Sequence, residues 1–396
     1  MMPLRDPFEP KGLLAGSSEL EKAENRAPGD LGLQRSKANV SGEKWMARLD
    51  DDLLVSSLSI PGTHDSAAYT HPWPFIATQR MSILEQLNAG IRYFDFRCGI
   101  REDIPEMVHG PSLLGLQLPE LLDIMYKWLE SHPKEGLIVQ IKEDRKPERS
   151  TVHFSHAIFR HIAARSERWR TANTTPSLGE LRGKIQLFRR YNGPSLMAYG
   201  IDVTEWQDNP TRPFTINTRN SVQLTIQDHY SISDPKPLPD LIAIKGGDVS
   251  GLLDRASADT DTGHWYLNFT SAYEFNWYYQ LPPREVAVGG YFGFKWEDGM
   301  NPRLRTFLQV RENKQRFGIV AMDFPDLGAD DLIISLIMSN FKPEQTTLGR
   351  NVRFVVAAIV LLAILLLAII HGLSGRGPEF LRVYILECTW KVLVGT

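Results

Sequence analysis

Cysteine is nearly absent from this chain. Two thiols, Cys98 and Cys388, stand in 396 residues, which excludes a small secreted scaffold stapled by disulfides. No Cys/His set has the spacing of a zinc site. Neither sign of charge dominates: Lys plus Arg number 44 and Asp plus Glu 47, for a net charge of -3. A nucleic-acid partner would call for a basic stripe, so nucleic acid is excluded as a partner. Residues 1–45 have almost no aromatics, and no apolar run there is longer than Leu13-Leu14-Ala15. That excludes a signal-peptide core. It also leaves too little apolar surface to offset the entropy of ordering, so 1–45 is expected to be a disordered tail. There is no Gly-rich phosphate loop, no Ser nucleophile elbow and no internal repeat.

What the chain does have is one long apolar run and one long mixed region. The run, 354–373, holds twenty residues without Lys, Arg, Asp or Glu. That is the length of a helix crossing the hydrocarbon core of a bilayer. The expectation is one C-terminal transmembrane helix, with 374–396 as a short tail beyond it. Lys342, Arg350 and Arg353 lie before it and Arg376 and Arg382 after it, so charge alone does not orient it. The simplest topology is a single-pass C-terminal membrane anchor with the folded region in the cytosol. Cys98 and Cys388 would then lie on opposite sides of the membrane.

Residues 46–341 alternate between two apolar periods. Short β-type runs fall at 53–60, 91–97, 106–109, 137–142, 184–190, 222–227, 265–270 and 317–323. Helical patterns fall at 81–88, 119–130, 149–163, 239–254 and 302–311. Strands separated by helices pair in parallel, and about eight of them suggest an α/β barrel.

Most of these strands end in a polar residue able to do chemistry. The first delivers His64 and Asp65, the second Asp95 and Arg97, the third His109. Later ones deliver Lys142, Arg190, Asp228 with Tyr230, and Asp323. In a parallel barrel the C-terminal strand ends open onto one mouth, so these residues converge although they are far apart in sequence. Taken singly, each has a duller reading. A histidine at a strand end can be structural, Asp95 with Arg97 a plain ion pair, Lys142 one member of a solvated charge run, and Asp323 a helix cap. Together they form a reaction set. Two histidines can serve as base and acid near neutral pH. Arginine pairs its donors with phosphate oxygens. A carboxylate behind each histidine fixes its tautomer. Such a set cleaves a phosphodiester by way of a hydroxyl already in the substrate, whose proximity replaces an activated water.

The segments SIPGTHDSAAY (59–69), QLNAGIRYFDFRCG (86–99) and VHG (108–110) resemble the X-domain of phosphatidylinositol-specific phospholipases C, in particular the bacterial-type, single-domain branch. LRGKIQLFRRY (181–191), TIQDHY (225–230), YLNFTSA (266–272) and IVAMDF (319–324) continue the likeness, which covers about 45–340. The resemblance implies a distorted, incompletely closed TIM (β/α)8 barrel. It implies His64 as the base on the inositol 2-hydroxyl, His109 as the acid on the leaving glycerol oxygen, and Arg97 on the phosphate oxygens. Asp323 would orient the base, and Asp65 would support the acid and the arginine. Lys142, Arg190 and Asp228 would bind the inositol hydroxyls, with Tyr230 stacked on the ring. The products would be diacylglycerol and a cyclic inositol phosphate.

The larger eukaryotic relatives bind calcium and carry a carboxylate where this chain has Arg97. A cation there repels calcium and can take its place, so no metal or other cofactor is expected. The implied partner is a phospholipid membrane holding a phosphatidylinositol-type substrate. Trp73, Phe75, Trp277, Tyr278 and Tyr279 are candidates for its surface, or for packing on the barrel. Two other readings stay open from the residues: the same chemistry on another glycerophosphodiester or a GPI glycan, and a catalytically silent, membrane-tethered lipid-binding protein.

Overall fold

The computed structural model describes residues 41–194, 199–311 and 315–341. Two compact units divide the chain, Met1–Phe341 and Lys342–Thr396, and every described residue belongs to the first. The strands are β1 (Ser59–Thr63), β2 (Tyr93–Arg101), β3 (Ile104–His109), β4 (Ser112–Gln117), β5 (Leu137–Glu143), β6 (Trp169–Arg170), β7 (Ile185–Arg190) and β8 (Ile201–Asp202). They continue as β9 (Phe214–Asn217), β10 (Gln223–Gln227), β11 (Trp265–Phe269), β12 (Glu274–Phe275), β13 (Gln280–Leu281), β14 (Gly289–Phe292), β15 (Lys295–Asp298) and β16 (Gly318–Met322).

Seven strands run parallel in the order β7-β5-β2-β1-β16-β11-β10. Short β6 and β8 both lie parallel against β7, and β9 closes the other edge antiparallel to β10. No pairing among the described residues joins β8 to β9. The sheet is therefore an open α/β half-barrel of TIM type. β1, β11 and β16 are buried along their whole length, and β5 is buried as far as Ile141, as expected of parallel strands covered on both faces.

Three sequence expectations need correction. First, among the described residues no helix is long and apolar enough to cross a membrane. The run 354–373 lies outside the described residues, as do 1–40 and the tail 374–396. The transmembrane helix, the single-pass anchor and the cytosolic placement drawn from it are therefore withdrawn. Second, the run 53–60 is strand only at its end. Val55–Ser57 make a 3-10 turn, and β1 extends to Thr63, paired residue by residue with β16 from Ser59↔Gly318 to Thr63↔Met322. Third, 106–109 is not a barrel strand. It belongs to β3, which turns back antiparallel on the overlong β2 through Cys98↔Met107. That register carries His109 back to the level of Phe96, beside Arg97. Cys98 is buried and unpaired, and Cys388 lies outside the described residues.

Ordered structure begins before residue 46. Gly42–Lys44 form a helical turn, and Trp45 and Met46 are fully buried. Arg92 holds this segment against the end of the barrel opposite the strands' C-termini. Its Nη2 donates to Gly42 O, Glu43 O and Glu135 Oε2, its Nε to Glu135 Oε2, and its Nη1 to Leu87 O and Ile91 O. The guanidinium also lies 4.6 Å from the Trp128 ring centroid. Both partners of this ion pair are buried. Removing one leaves the other charge unpaired in a dry site. Glu135→Leu is expected to cost about 3 kcal/mol or more in chemical denaturation.

Candidate active site

β1 ends at Thr63, whose Oγ1 bonds the buried Gln86 and Ser66 side chains. Gly62 just before it is required, because a Cβ there would lie 2.7 Å from the Tyr93 ring. The next two residues turn sharply. His64 N donates to Met322 O, and Asp65 takes a left-handed φ of 41° although it is not glycine. Phe324, directly after Asp323, does the same at φ 43°. Such backbone is costly and persists only where its surroundings enforce it. Gln79 is one enforcer: its Nε2 donates to both His64 O (2.7 Å) and Met322 O (2.9 Å), tying the ends of β1 and β16 together.

The turns bring two imidazoles and a guanidinium around one carboxylate. Asp65 Oδ2 is 3.5 Å from His64 Nε2 and 3.5 Å from His109 Nε2. The two ring nitrogens are therefore no more than about 7 Å apart. Arg97 Nε lies 3.1 Å from Asp65 Oδ1, and its Nη2 lies 2.8 Å from His64 Nε2. His64 Nδ1 is 2.8 Å from Asp323 Oδ1, and His109 Nδ1 is 2.8 Å from Ile76 O.

These contacts assign the tautomer of His64. Arg97 can only donate, so His64 Nε2 is an acceptor, Nδ1 carries the hydrogen, and Asp323 accepts it. Burial and the Arg97 charge lower His64 to about 4, against the pull of Asp65 and Asp95. The ring is therefore neutral at physiological pH, with its lone pair on the cavity side. Burial pushes the Asp323 carboxyl up, and the charges of His109, Arg97 and Lys245 oppose that. Burial also works against Asp95. There Arg97, His64, Arg190 and the Asp65 N–H outweigh it and hold the carboxyl at about 2.

His64, Arg97, His109, Lys142, Arg190, Asp228, Tyr230 and Asp323 all line one cavity of about 350 Å³. Asp65 lies between the two histidines, 2% exposed. All nine residues to which the family resemblance gives a role are thus brought together. Lys142 pairs with Asp144, and the Arg190 guanidinium sits 3.7 Å from the Trp206 ring centroid. Trp206 Nε1 in turn donates to Asp228 Oδ2 at 2.9 Å, and Tyr230 OH donates to Asp208 at 2.9 Å. Trp206 and Asp208 were not anticipated. They come from the loop between β8 and β9, where no strand end marks them. Gln140, whose Nε2 donates to Asp95 Oδ1 at 2.6 Å, was also missed, because its position inside a strand reads as core. Among the described residues, no group of three His, Cys, Asp or Glu side chains is arranged to hold a metal ion.

The profile for the phosphatidylinositol-specific phospholipase C X domain matches residues 58–191. A 1-phosphatidylinositol phosphodiesterase of Staphylococcus aureus strain Newman is 28% identical over 319 residues, covering 76% of this chain and 95% of that protein. Residues 58–191 form a phosphatidylinositol-specific phospholipase C X domain. A 1-phosphatidylinositol phosphodiesterase of Listeria monocytogenes is 28% identical over 310 residues, covering 73% of this chain and 83% of that protein. Among solved structures, a pentafluoro-Phe-incorporated phosphatidylinositol-specific phospholipase C from S. aureus superposes with a TM-score of 0.66 at 25% identity. It spans 76% of this chain and 98% of its own. The likeness to these X-domain phospholipases is of the bacterial type, since it extends over nearly their full length.

Proposed function

We propose that this X-domain protein is a phosphatidylinositol-specific phospholipase C that works by intramolecular transesterification. The observation that carries the reading is the shared carboxylate: two imidazole Nε2 atoms within 3.5 Å of Asp65 Oδ2, at the edge of the cavity that both rings line. His64 Nε2 takes the proton of the inositol 2-hydroxyl. That oxygen attacks phosphorus, and the bond from phosphorus to the glycerol oxygen breaks. His109 gives its Nε2 proton to the departing oxygen, so diacylglycerol leaves and a cyclic inositol phosphate remains. Asp323 holds the base in its tautomer and favours the imidazolium it becomes. Arg97 exchanges its bond to His64 for the phosphate oxygens, where charge builds up. Lys142, Arg190 and Asp228 bind the ring hydroxyls, and Tyr230 covers the ring face. No step requires a metal ion, because Arg97 neutralises the phosphate. Vesicles containing phosphatidylinositol, incubated with the protein in a chelator-containing buffer, should release cyclic inositol phosphate. No release, or release only after calcium is added, would overturn this mechanism.

The substrate lies in a bilayer, and the cavity rim supports a membrane-facing role. Trp73, Phe75 and Phe275 pack against one another, Phe275 edge to face with the other two, with centroids 4.8–6.3 Å apart, and all three line the cavity. Trp277 and Tyr278 follow, 96% and 78% exposed. The helix Pro283–Val288, whose Pro283 lines the cavity, leads into the β14–β15 hairpin, which projects Tyr291, Phe292 and a fully exposed Phe294. Aromatic side chains favour the membrane interface. Trp277→Ser with Phe294→Ser is expected to weaken vesicle binding about tenfold, or about 1.4 kcal/mol. Turnover of a water-soluble inositol phosphodiester should be unchanged, and co-sedimentation with vesicles reads the difference.

A further inference from the structure

Lys245 has no place in the mechanism above, yet it is one of the most buried charges in the protein. It sits in the helix Leu238–Ala258 on the outer face of the sheet, with no solvent exposure. Its Nζ donates to Gln227 Oε1 at 3.0 Å and to His229 O at 2.8 Å. Gln227, the last residue of β10, is itself fully engaged. Its Oε1 also accepts from His229 N, and its Nε2 donates to Asn268 Oδ1 and Phe269 O on β11. Asn268 continues the chain of bonds by donating to Val249 O of the same helix. His229 Nδ1 meets Asp248 Oδ2 at 2.9 Å.

This network encloses the turn 227–230 from behind. On the other side of that turn, Asp228 and Tyr230 enter the substrate cavity. Burying an ammonium without a full partner is expensive, and an apolar residue would normally fill such a position. The charge is therefore held for a reason beyond packing. The titratable groups facing it are Asp228 and His229 from the turn, Asp248 from its own helix and Asp323 from the end of β16. Two of the four, Asp228 and Asp323, line the cavity.

We propose that Lys245 is a positioning residue: its ammonium fixes the Gln227–Tyr230 turn that presents Asp228 and Tyr230, and sets a positive charge behind Asp228 and Asp323. This rests on the reading of Asp228 and Tyr230 as the inositol-binding pair. Burial lowers Lys245 to about 8, with Asp228, Asp248 and Asp323 pulling the other way. The group is thus charged below that pH and loses its charge above it. Tyr230, raised to about 12 by burial and Asp208, stays neutral across the same interval.

The experiment compares wild type with Lys245→Met, a substitution of similar length. It reads kcat and KM on phosphatidylinositol and the Kd of myo-inositol, from pH 7 to 9.5. In Lys245→Met, KM and Kd should rise about tenfold while kcat changes less than threefold. In wild type both constants should climb as pH passes about 8, and in the variant that climb should vanish. A purely structural role would lower the melting temperature and leave the pH dependence alone. A folded variant with wild-type constants would overturn the proposal, and so would a wild type whose KM and Kd stay flat to pH 9.5. The wild-type profile decides the matter if the variant does not fold. Wild type that binds myo-inositol but cleaves no phosphatidylinositol would instead count against the proposed function, and Kd alone would then test Lys245.

Discussion

Replacing His64 with alanine should reduce kcat/KM on phosphatidylinositol by about a thousandfold or more, and His109→Ala should do the same. The expectation follows from position. Each ring lines the cavity, and each faces a second group that fixes its orientation: Asp323 for His64 and the Ile76 carbonyl for His109. A base or acid held this way typically supplies two to four orders of magnitude, and nothing else in the cavity can replace either one at the same place. The two variants should differ when the leaving group changes. A substrate whose leaving group is a good one, such as a nitrophenol, needs little help from an acid. His109→Ala should recover much of its rate on that substrate and His64→Ala should not. Equal rates for wild type and both variants would reject the assignment, as would equal recovery.

Arg97→Met should be as damaging in a different way. The guanidinium touches His64, Asp65 and Asp95 at once. Its loss removes the donors aimed at the developing phosphate charge, worth about two to three orders of magnitude in kcat. It also changes the pH profile. His64 acts as a base only when neutral, so kcat/KM should fall as pH drops through its free-enzyme value, about 4. Burial and Arg97 produce that low value, while Asp65 and Asp95 oppose it. With Arg97 gone, the two carboxylates face mainly burial, and the acid limb should move up from about 4 in the direction of the ordinary imidazole value, about 6.5. Arg97→Lys keeps a charge but loses the planar fork. Its limb should stay near the wild-type position while its rate remains low. An Arg97→Met limb unmoved from wild type would separate Arg97 from the basicity of His64.

The strands that carry the site were legible because they are largely buried apolar runs that end abruptly in polar residues. β5, β7, β10, β11 and β16 lie within a residue or two of their expected bounds. His109 does line the cavity, although the reason for expecting it there was partly wrong. Period-2 alternation marks a strand but says nothing of its direction, so β3 read as a barrel strand when it is the return arm of a hairpin. Trp206 and Asp208 were invisible for a physical reason as well. The open side of the half-barrel has no strand between β8 and β9, so a loop supplies the cavity wall there, and loops carry no periodicity. Lys245 was hidden inside a helical pattern, where a lysine reads as the solvent side. Only the three-dimensional packing of that helix on β10 shows that it faces inward.

The carboxylate of Asp65 between two rings has a consequence for the proton inventory of the reaction. In the proposed mechanism one imidazole gains a proton at the same stage that the other gives one up, so the enzyme groups would end the step with the net charge they began with. The barrel end therefore never has to create or quench an ion in a medium of low polarizability. By that mechanism a positive charge would only move a few ångströms from one side of a fixed negative one to the other.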